Sequence, residues 1–474
     1  MTLGARVRGQ ALVPVMFIVL IMTALAVAMT ASSRQLVRQS TGFLYETRQY
    51  WVARGAVEYA AAMLEEATAS GTRPPELGTL PGTDANGWTQ EGDAWFKLEI
   101  IDTASRLNVN TASARDLAML PGLRDDPATA LAIVDWRDAD DTEGALESAL
   151  GAEDSYYQSL SPPYAPRNAP IGSIDELLLV RGMTPARLHG VPVADNAAAS
   201  GVTGAAASAR SRQSGGAGGG GAATEGDDAP SIDVGSSGIA LAELLTTFSQ
   251  ELNTASDGTR RLNVNSATQE QLTEQVGLPS GLARQIVQQR QQNPFVSMAD
   301  LLDVPGVTRA IMQRCADRIT VSDAATRDGV VNINTAPLEV LAALPGVDQT
   351  IYEAIITARQ SGTVFGGLGD LFQLTSLNRR QLRTLVDHVS TKSSAYLVRV
   401  RVRVAGSPRV YAAEALVVIG GAVAEDTTAG AGMQPETGQE VASRIVQWRT
   451  VPRIPGWSSW SAPPVYQSVV TAQP

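Results

Sequence analysis

The sequence predicts an α+β protein: a long N-terminal helix on a small antiparallel sheet, with an α-helical domain inserted between two of that sheet's strands. Three observations predict it. An apolar run opens the chain and, after Pro14, continues without a proline as far as Pro74. Segments near residues 95 and 400 alternate apolar and charged residues, and between them a helical motif recurs three times.

The helix comes first. Met1 to Gly9 carries Arg6 and Arg8 and no acid, and Ala11 to Thr30 is apolar without a charge. About 20 apolar residues are what a helix needs to cross a bilayer. Arginines ahead of the run favour a cytoplasmic N-terminus, a single pass through the inner membrane and a periplasmic body. A cleaved secretory signal is the competing reading, with Ala26-Val27-Ala28 as a loose cleavage match. The continuation argues against cleavage. Leu36/Val37, Phe43/Leu44, Tyr50/Trp51, Val57 and Met63/Leu64 recur at helical spacing, with Arg34, Arg38, Arg48 and Arg54 between them. The reading is a leader at 1–9, a membrane helix at 10–31 and an amphipathic stalk helix at 32–70, whose Trp51, Val57 and Leu64 bury against the sheet.

Composition excludes several functions. A net charge of −11 and pI near 4.9 argue against a general affinity for nucleic acid. A lone cysteine, Cys315, rules out an intramolecular disulfide and reads as a buried small residue. Two distant histidines, His189 and His388, leave no basis for a zinc site or a histidine triad. No catalytic constellation is legible, so the protein reads as non-enzymatic.

Residues 71–92 read as a loop, and Ala94 to Ile101 as a strand within a first sheet segment at 94–105. Then the repeat begins. Its members open at Arg106 (RLNVNTASARDLAMLPGL), Arg261 (RLNVNSATQEQLTEQVGL) and Val331 (VNINTAPLEVLAALPGV), and each has a second half, at 173–188, 297–312 and 367–382. A helix, a glycine hairpin and a second helix form the helix-hairpin-helix pattern. The units are placed at 106–190, 239–325 and 326–392. An Ala/Gly/Ser linker at 191–238 separates the first two and cannot bury enough apolar surface to fold. Residues 393–451 return to the sheet. Val398, Val400, Val402 and Val404 face inward, Arg399, Arg401 and Arg403 form a solvated face, and the hairpin turns at Gly406-Ser407-Pro408. A last strand at 441–451 precedes a tail at 452–474.

Helix-hairpin-helix units commonly bind phosphate through hairpin amides and a helix N-terminus. A membrane-anchored DNA-binding protein of competence type is therefore the alternative reading. Against it, PGLRDD (121–126), PGVTRA (305–310) and PGVDQT (345–350) lack a second hairpin glycine, and acids stand at Asp125, Asp126 and Asp348. Residues 106–190 hold 7 Arg against 13 acids, where DNA binders cluster cations; 260–320 hold 7 against 5 and are the least hostile. Nucleic acid is not expected as a partner.

The first unit is interrupted by an acidic insert: Asp135, Asp138, Asp140, Asp141, Glu143, Glu153 and Asp154, with Asn168 behind them. A solvated acidic loop and a hard-cation site both fit this composition. Trp136, Tyr156, Tyr157, Tyr164 and three prolines point to an ordered loop, and carboxylates spaced along a loop can supply oxygens to calcium.

Two stretches carry a family resemblance. Arg8-Gly9 before Gln10-Ala11-Leu12 and an apolar helix resembles the class III signal of type IV pilins and pseudopilins, and VARGAVEYAAAML (52–64) resembles the helix that follows in pseudopilins. The resemblance implies cleavage by prepilin peptidase between Gly9 and Gln10, with the apolar helix retained. Pro14 stands where pilins generally carry a glutamate; a first-turn proline loses no helical hydrogen bond. DWRDADD, GAEDSYY, PPYAPRN and ELLLVRGM resemble general secretion pathway protein K, the minor pseudopilin K of type II secretion systems. That resemblance covers Arg8–Thr68, Trp95–Leu188 and about Val331–Trp448, and leaves the middle unit unassigned. It implies a pseudopilin fold, a place at the pseudopilus tip, other minor and major pseudopilins as partners, and calcium held by Asp138, Asp140, Glu153, Asp154 and Asn168.

Overall fold

The computed structural model describes residues 12–70, 83–84, 86–139, 151–190, 239–374, 377–407, 409–420 and 442–451. Its spine is one unbroken helix, Leu12–Ser70, with Pro14 in its first turn. The membrane-spanning candidate in it has a mean hydropathy of 2.4 over its most apolar window, and none of that window is buried in the chain. Length and composition suffice for a bilayer crossing.

Past Tyr45 the helix meets the sheet. Its strands run in the order Thr89–Glu91, Ala94–Asp102, Ala395–Val404, Tyr411–Ile419, Ser443–Thr450, all antiparallel. The central register sets Val400 opposite Leu98 on one side and Ala413 on the other. One sheet face carries Phe96, Leu98, Val398, Val400, Val402, Ala413 and Val417, which bury against Ala53, Ala56, Val57, Ala60 and Leu64 of the helix. Alanine at three of those five contact positions lets the helix lie close to the sheet. Val57 and Leu64 are fully buried, but Trp51 is 65% exposed, contrary to expectation. The buried seam runs through 53, 56/57, 60/61 and 64; Trp51, two residues before Ala53, points about 200° away from it. The edge strand Thr89–Glu91 lies inside the stretch read as loop, with Trp88 buried beside it.

Between the first and second long strands lies the α-domain, its units sharing one apolar core. Each unit is closed by a two-residue parallel pairing: Leu262–Asn263 with Ile319–Thr320, and Val331–Asn332 with Val389–Ser390. The first unit obeys the same rule with a correction to its expected boundary. Leu107–Asn108 pairs with Leu245–Thr246, beyond the linker, so residues 239–248 complete unit one and do not open unit two. The ends of the linker meet: a Cβ on Gly190 would lie 3.7 Å from that of Ala240.

The Asn-x-Asn openings are knots. The second asparagine bonds the same three backbone groups in every unit. Asn110 bonds the Ile171 N–H and the carbonyls of Ile171 and Thr247 at 2.7–3.0 Å. Asn265 does so with Phe295 and Val321, and Asn334 with Phe365 and Thr391. A last-turn arginine, Arg137, Arg290 or Arg359, donates to the same opening loop. Side-chain amides therefore tie the two halves of each unit together where no regular ladder could reach.

Candidate functional site

The described residues of the acidic insert gather at the C-terminal end of the helix Pro127–Arg137. Asp138 caps that helix, its N–H donating to the Val134 carbonyl at 3.1 Å. Asp135 Oδ2 accepts from the Ala152 N–H at 2.7 Å, which seats the neighbouring Glu153, 2% exposed, beside the same helix end. Asn168, in the left-handed region at φ +48°, donates its N–H to the Trp136 carbonyl at 3.0 Å. Tyr157 and Tyr164 pack on Trp136 at 5.0 and 6.2 Å between ring centres, and burial raises the Tyr157 phenol's pKa. The aromatic residues thus hold the returning loop against the helix.

Of the expected ligands, Asp138, Glu153 and Asn168 are brought together by bonds to this one helix end. Asp154 opens the next short helix and accepts from Gln158 at 3.4 Å. Asp140 lies outside the described residues, as do Asp141, Glu143, Gly9 and Gln10. The buried Asn168 Oδ1 has no hydrogen-bond partner among the described residues. Oxygen donors at the negative end of a helix dipole fit a hard divalent cation in chemical type. Among the described residues, however, no group of three or more Asp, Glu, His or Cys side chains converges tightly enough to hold a metal.

A second charged assembly, missed in the sequence, joins the α-domain to the sheet. Arg399 is not on a solvated face but 4% exposed. It contacts Glu414 at 3.0 Å on the neighbouring strand and Glu243 at 2.9 Å from the segment just past the linker. Arg106, which opens unit one, meets Glu243 at 2.6 Å. Arg449 of the last strand spans Glu414 and Asp175, both at 2.6 Å. Burial works to raise the Glu243 pKa, but Arg106 and Arg399 overcome it and hold the carboxyl below its usual range. Unit three docks as well: Asp102, ending the first long strand, accepts from Asn332 at 2.8 Å and Thr335 at 2.6 Å, and burial holds its pKa above the usual range. A further buried cluster sets Glu251 between Arg261 at 2.8 Å and Arg327 at 2.9 Å. One signal for these joints was available: arginine immediately precedes the buried Leu-Asn-Val-Asn of two units. The acidic partners lie too far along the chain to be matched by eye.

The hairpins are turned to packing. In unit three Asp348 caps the helix Gln349–Gln360 and also accepts from Gln381 at 2.7 Å, so a carboxylate occupies the place a phosphate would take. In unit one Asp126 binds Arg187 at 2.9 Å. The hairpin at 305–310 belongs to the second half of unit two, and Arg309 reaches across to the Leu374 and Leu377 carbonyls of unit three.

A long apolar helix on an antiparallel sheet, with an α-domain spliced between two of its strands, is the architecture of a pseudopilin bearing helix-hairpin-helix units. Residues 100–191 and 331–392 match models of type II secretion system protein K, and residues 258–320 match a helix-hairpin-helix motif. Two segments of the chain, one at each end of the α-domain, are thus similar to the protein K family of type II secretion systems. The type II secretion system protein K of Klebsiella pneumoniae is 31% identical over 202 residues, 38% of this chain and 59% of that protein. That of Aeromonas hydrophila is 28% identical over 208 residues, 38% and 60%. The chain thus spans about three-fifths of the length of these relatives. Among solved structures, a chain of the GspK-GspI-GspJ complex from the enterotoxigenic Escherichia coli type 2 secretion system aligns with 12% identity and a TM-score of 0.40, covering 88% of this chain and all of that one.

Proposed function

We propose that this protein is a minor pseudopilin that sits at the tip of a type II secretion pseudopilus and helps to start its assembly for export across the outer membrane. The observation that carries the reading is the placement of the two protein K segments. They open and close the α-domain that is spliced between two strands of a sheet carried on an apolar stalk. A domain of this bulk above the sheet leaves no room for a further subunit stacked on it, and Pro14 supplies no carboxylate for a neighbour's N-terminus. Both features suit a subunit with nothing above it.

The role is structural. Prepilin peptidase cuts between Gly9 and Gln10, the helix holds the chain in the inner membrane with its body in the periplasm, and other pseudopilins are its partners. Calcium at Asp138, Glu153 and Asn168, completed from the acidic insert that includes Asp140 and Asp154, neutralises the crowded carboxylates and fixes the loop. Deleting the gene in its own host should strand exported proteins in the periplasm, with export restored by the intact chain. Unimpaired export in the deletion strain would refute the reading.

A further inference from the structure

The four arginines of the stalk helix fall into two pairs. Arg48 binds Asp93 and Arg54 binds Glu58 at 2.6 Å, so the upper pair is satisfied by the body and by the helix itself. Arg34 and Arg38 are exposed and have no acidic partner among the described residues. No aspartate or glutamate occurs before Glu46, so their own helix has none within reach. Four residues apart, they share one face of the helix. Pro14 to Arg34 spans about 30 Å of helix, the thickness of the hydrocarbon core. The body begins only at Tyr45, whose hydroxyl approaches Gly406, about 16 Å beyond Arg34 and about 10 Å beyond Arg38. If the apolar segment fills the bilayer, both guanidinium groups stand at the outer headgroups and clear of the protein.

Building on the membrane-anchored reading above, we infer that Arg34 and Arg38 form a phosphate-binding clamp for anionic phospholipid headgroups of the outer leaflet, setting the depth of the helix and the height of the body. Guanidinium forks match phosphate oxygens in a bidentate way, and the geometry places no competing carboxylate near them. The paired acid of a neighbouring helix is the rival occupant. It is disfavoured because the span from Pro14 puts this face at headgroup level.

The test uses the full chain reconstituted in phosphatidylcholine vesicles doped with spin-labelled phosphatidylglycerol or spin-labelled phosphatidylcholine. Resistance to carbonate extraction is scored first. The wild type should restrain phosphatidylglycerol about fivefold more than phosphatidylcholine per arginine engaged, a preference weakened by 1 M salt and untouched by millimolar inorganic phosphate. The R34Q/R38Q chain should stay carbonate-resistant and lose the preference, whereas R34K/R38K should keep part of it. Insertion with no preference in the wild type, or a preference unchanged in R34Q/R38Q, would overturn the clamp and leave the anchor standing. A preference abolished by inorganic phosphate would mean a free-anion site and not a lipid clamp. R34Q/R38Q losing contact with another subunit while its lipid preference is unchanged would assign the face to an acidic partner. Failure of the wild type to insert would overturn both.

Discussion

Replacing residues 191–238 with a four-residue Gly-Ser link should leave the fold intact and make it more stable. Gly190 and Ala240 lie side by side, close enough that a Cβ on Gly190 would be 3.7 Å from that of Ala240, and unit one is closed by strand residues on both sides of the linker. The segment therefore spans no distance that a short link could not. Its composition implies a chain of about 48 residues whose ends must be held together, and each doubling of a flexible loop costs about 0.6 kcal/mol in closure entropy. Going from about 48 residues to about 4 is between three and four doublings, so the α-domain should gain about 2 kcal/mol. Urea unfolding followed by tryptophan fluorescence reads this as a higher midpoint; an unchanged slope is expected from an Ala/Gly/Ser composition that offers little apolar surface to bury. A lower midpoint, or loss of the cooperative transition, would refute the reasoning. It would mean that the linker contributes contacts of its own, or that Leu241–Thr246 does not close unit one.

Further predictions follow from the joints. Glu251→Gln should cost about 3–5 kcal/mol, since Arg261 and Arg327 lose the carboxylate they share in a buried site; thermal melts check it. Asn334→Ala should cost on the order of 3 kcal/mol by leaving two carbonyls and an N–H of unit three unmatched, and the equivalent changes at Asn110 and Asn265 should cost similar amounts. The Glu243 carboxyl is held below its ordinary value, so its stabilisation is full above the unfolded pKa of about 4.3 and is lost as pH falls through the lower folded value. Glu243→Gln should flatten stability against pH below about pH 4 and lower it at neutrality. Calcium should raise the melting temperature of the wild type but not of Asp138→Asn/Glu153→Gln. Pro14→Glu should still insert into membranes; failure to insert would assign Pro14 to the bilayer and not to the fibre tip.

Much of the fold was legible because its signals are local. Alternation with period two marked the strands at 94–102 and 395–404, and the unbroken apolar run marked the helix. What was not legible depends on which surfaces meet. Arg399 alternates with valines like any solvated residue, and only docking of Glu243, 156 residues away, makes it buried. Trp51 shares a seven-residue spacing with apolar neighbours, but the sheet selects a different stripe, lined with alanines. Unit one could not be closed on paper because its last strand is hidden behind a linker. For the expected cation site, Asp138, Glu153 and Asn168 meet at one helix end, and residues 140–150 lie outside what the structure describes.

Partnership with other pseudopilins is the decisive property. The full chain, tagged at its C-terminus and solubilised in mild detergent from its own host, should bring down other minor pseudopilins of the same secretion system in fixed proportion. Washing with a calcium chelator should lower the yield of that complex. A chain that comes down alone, and that binds DNA at about 150 mM salt with calcium making no difference, would contradict it.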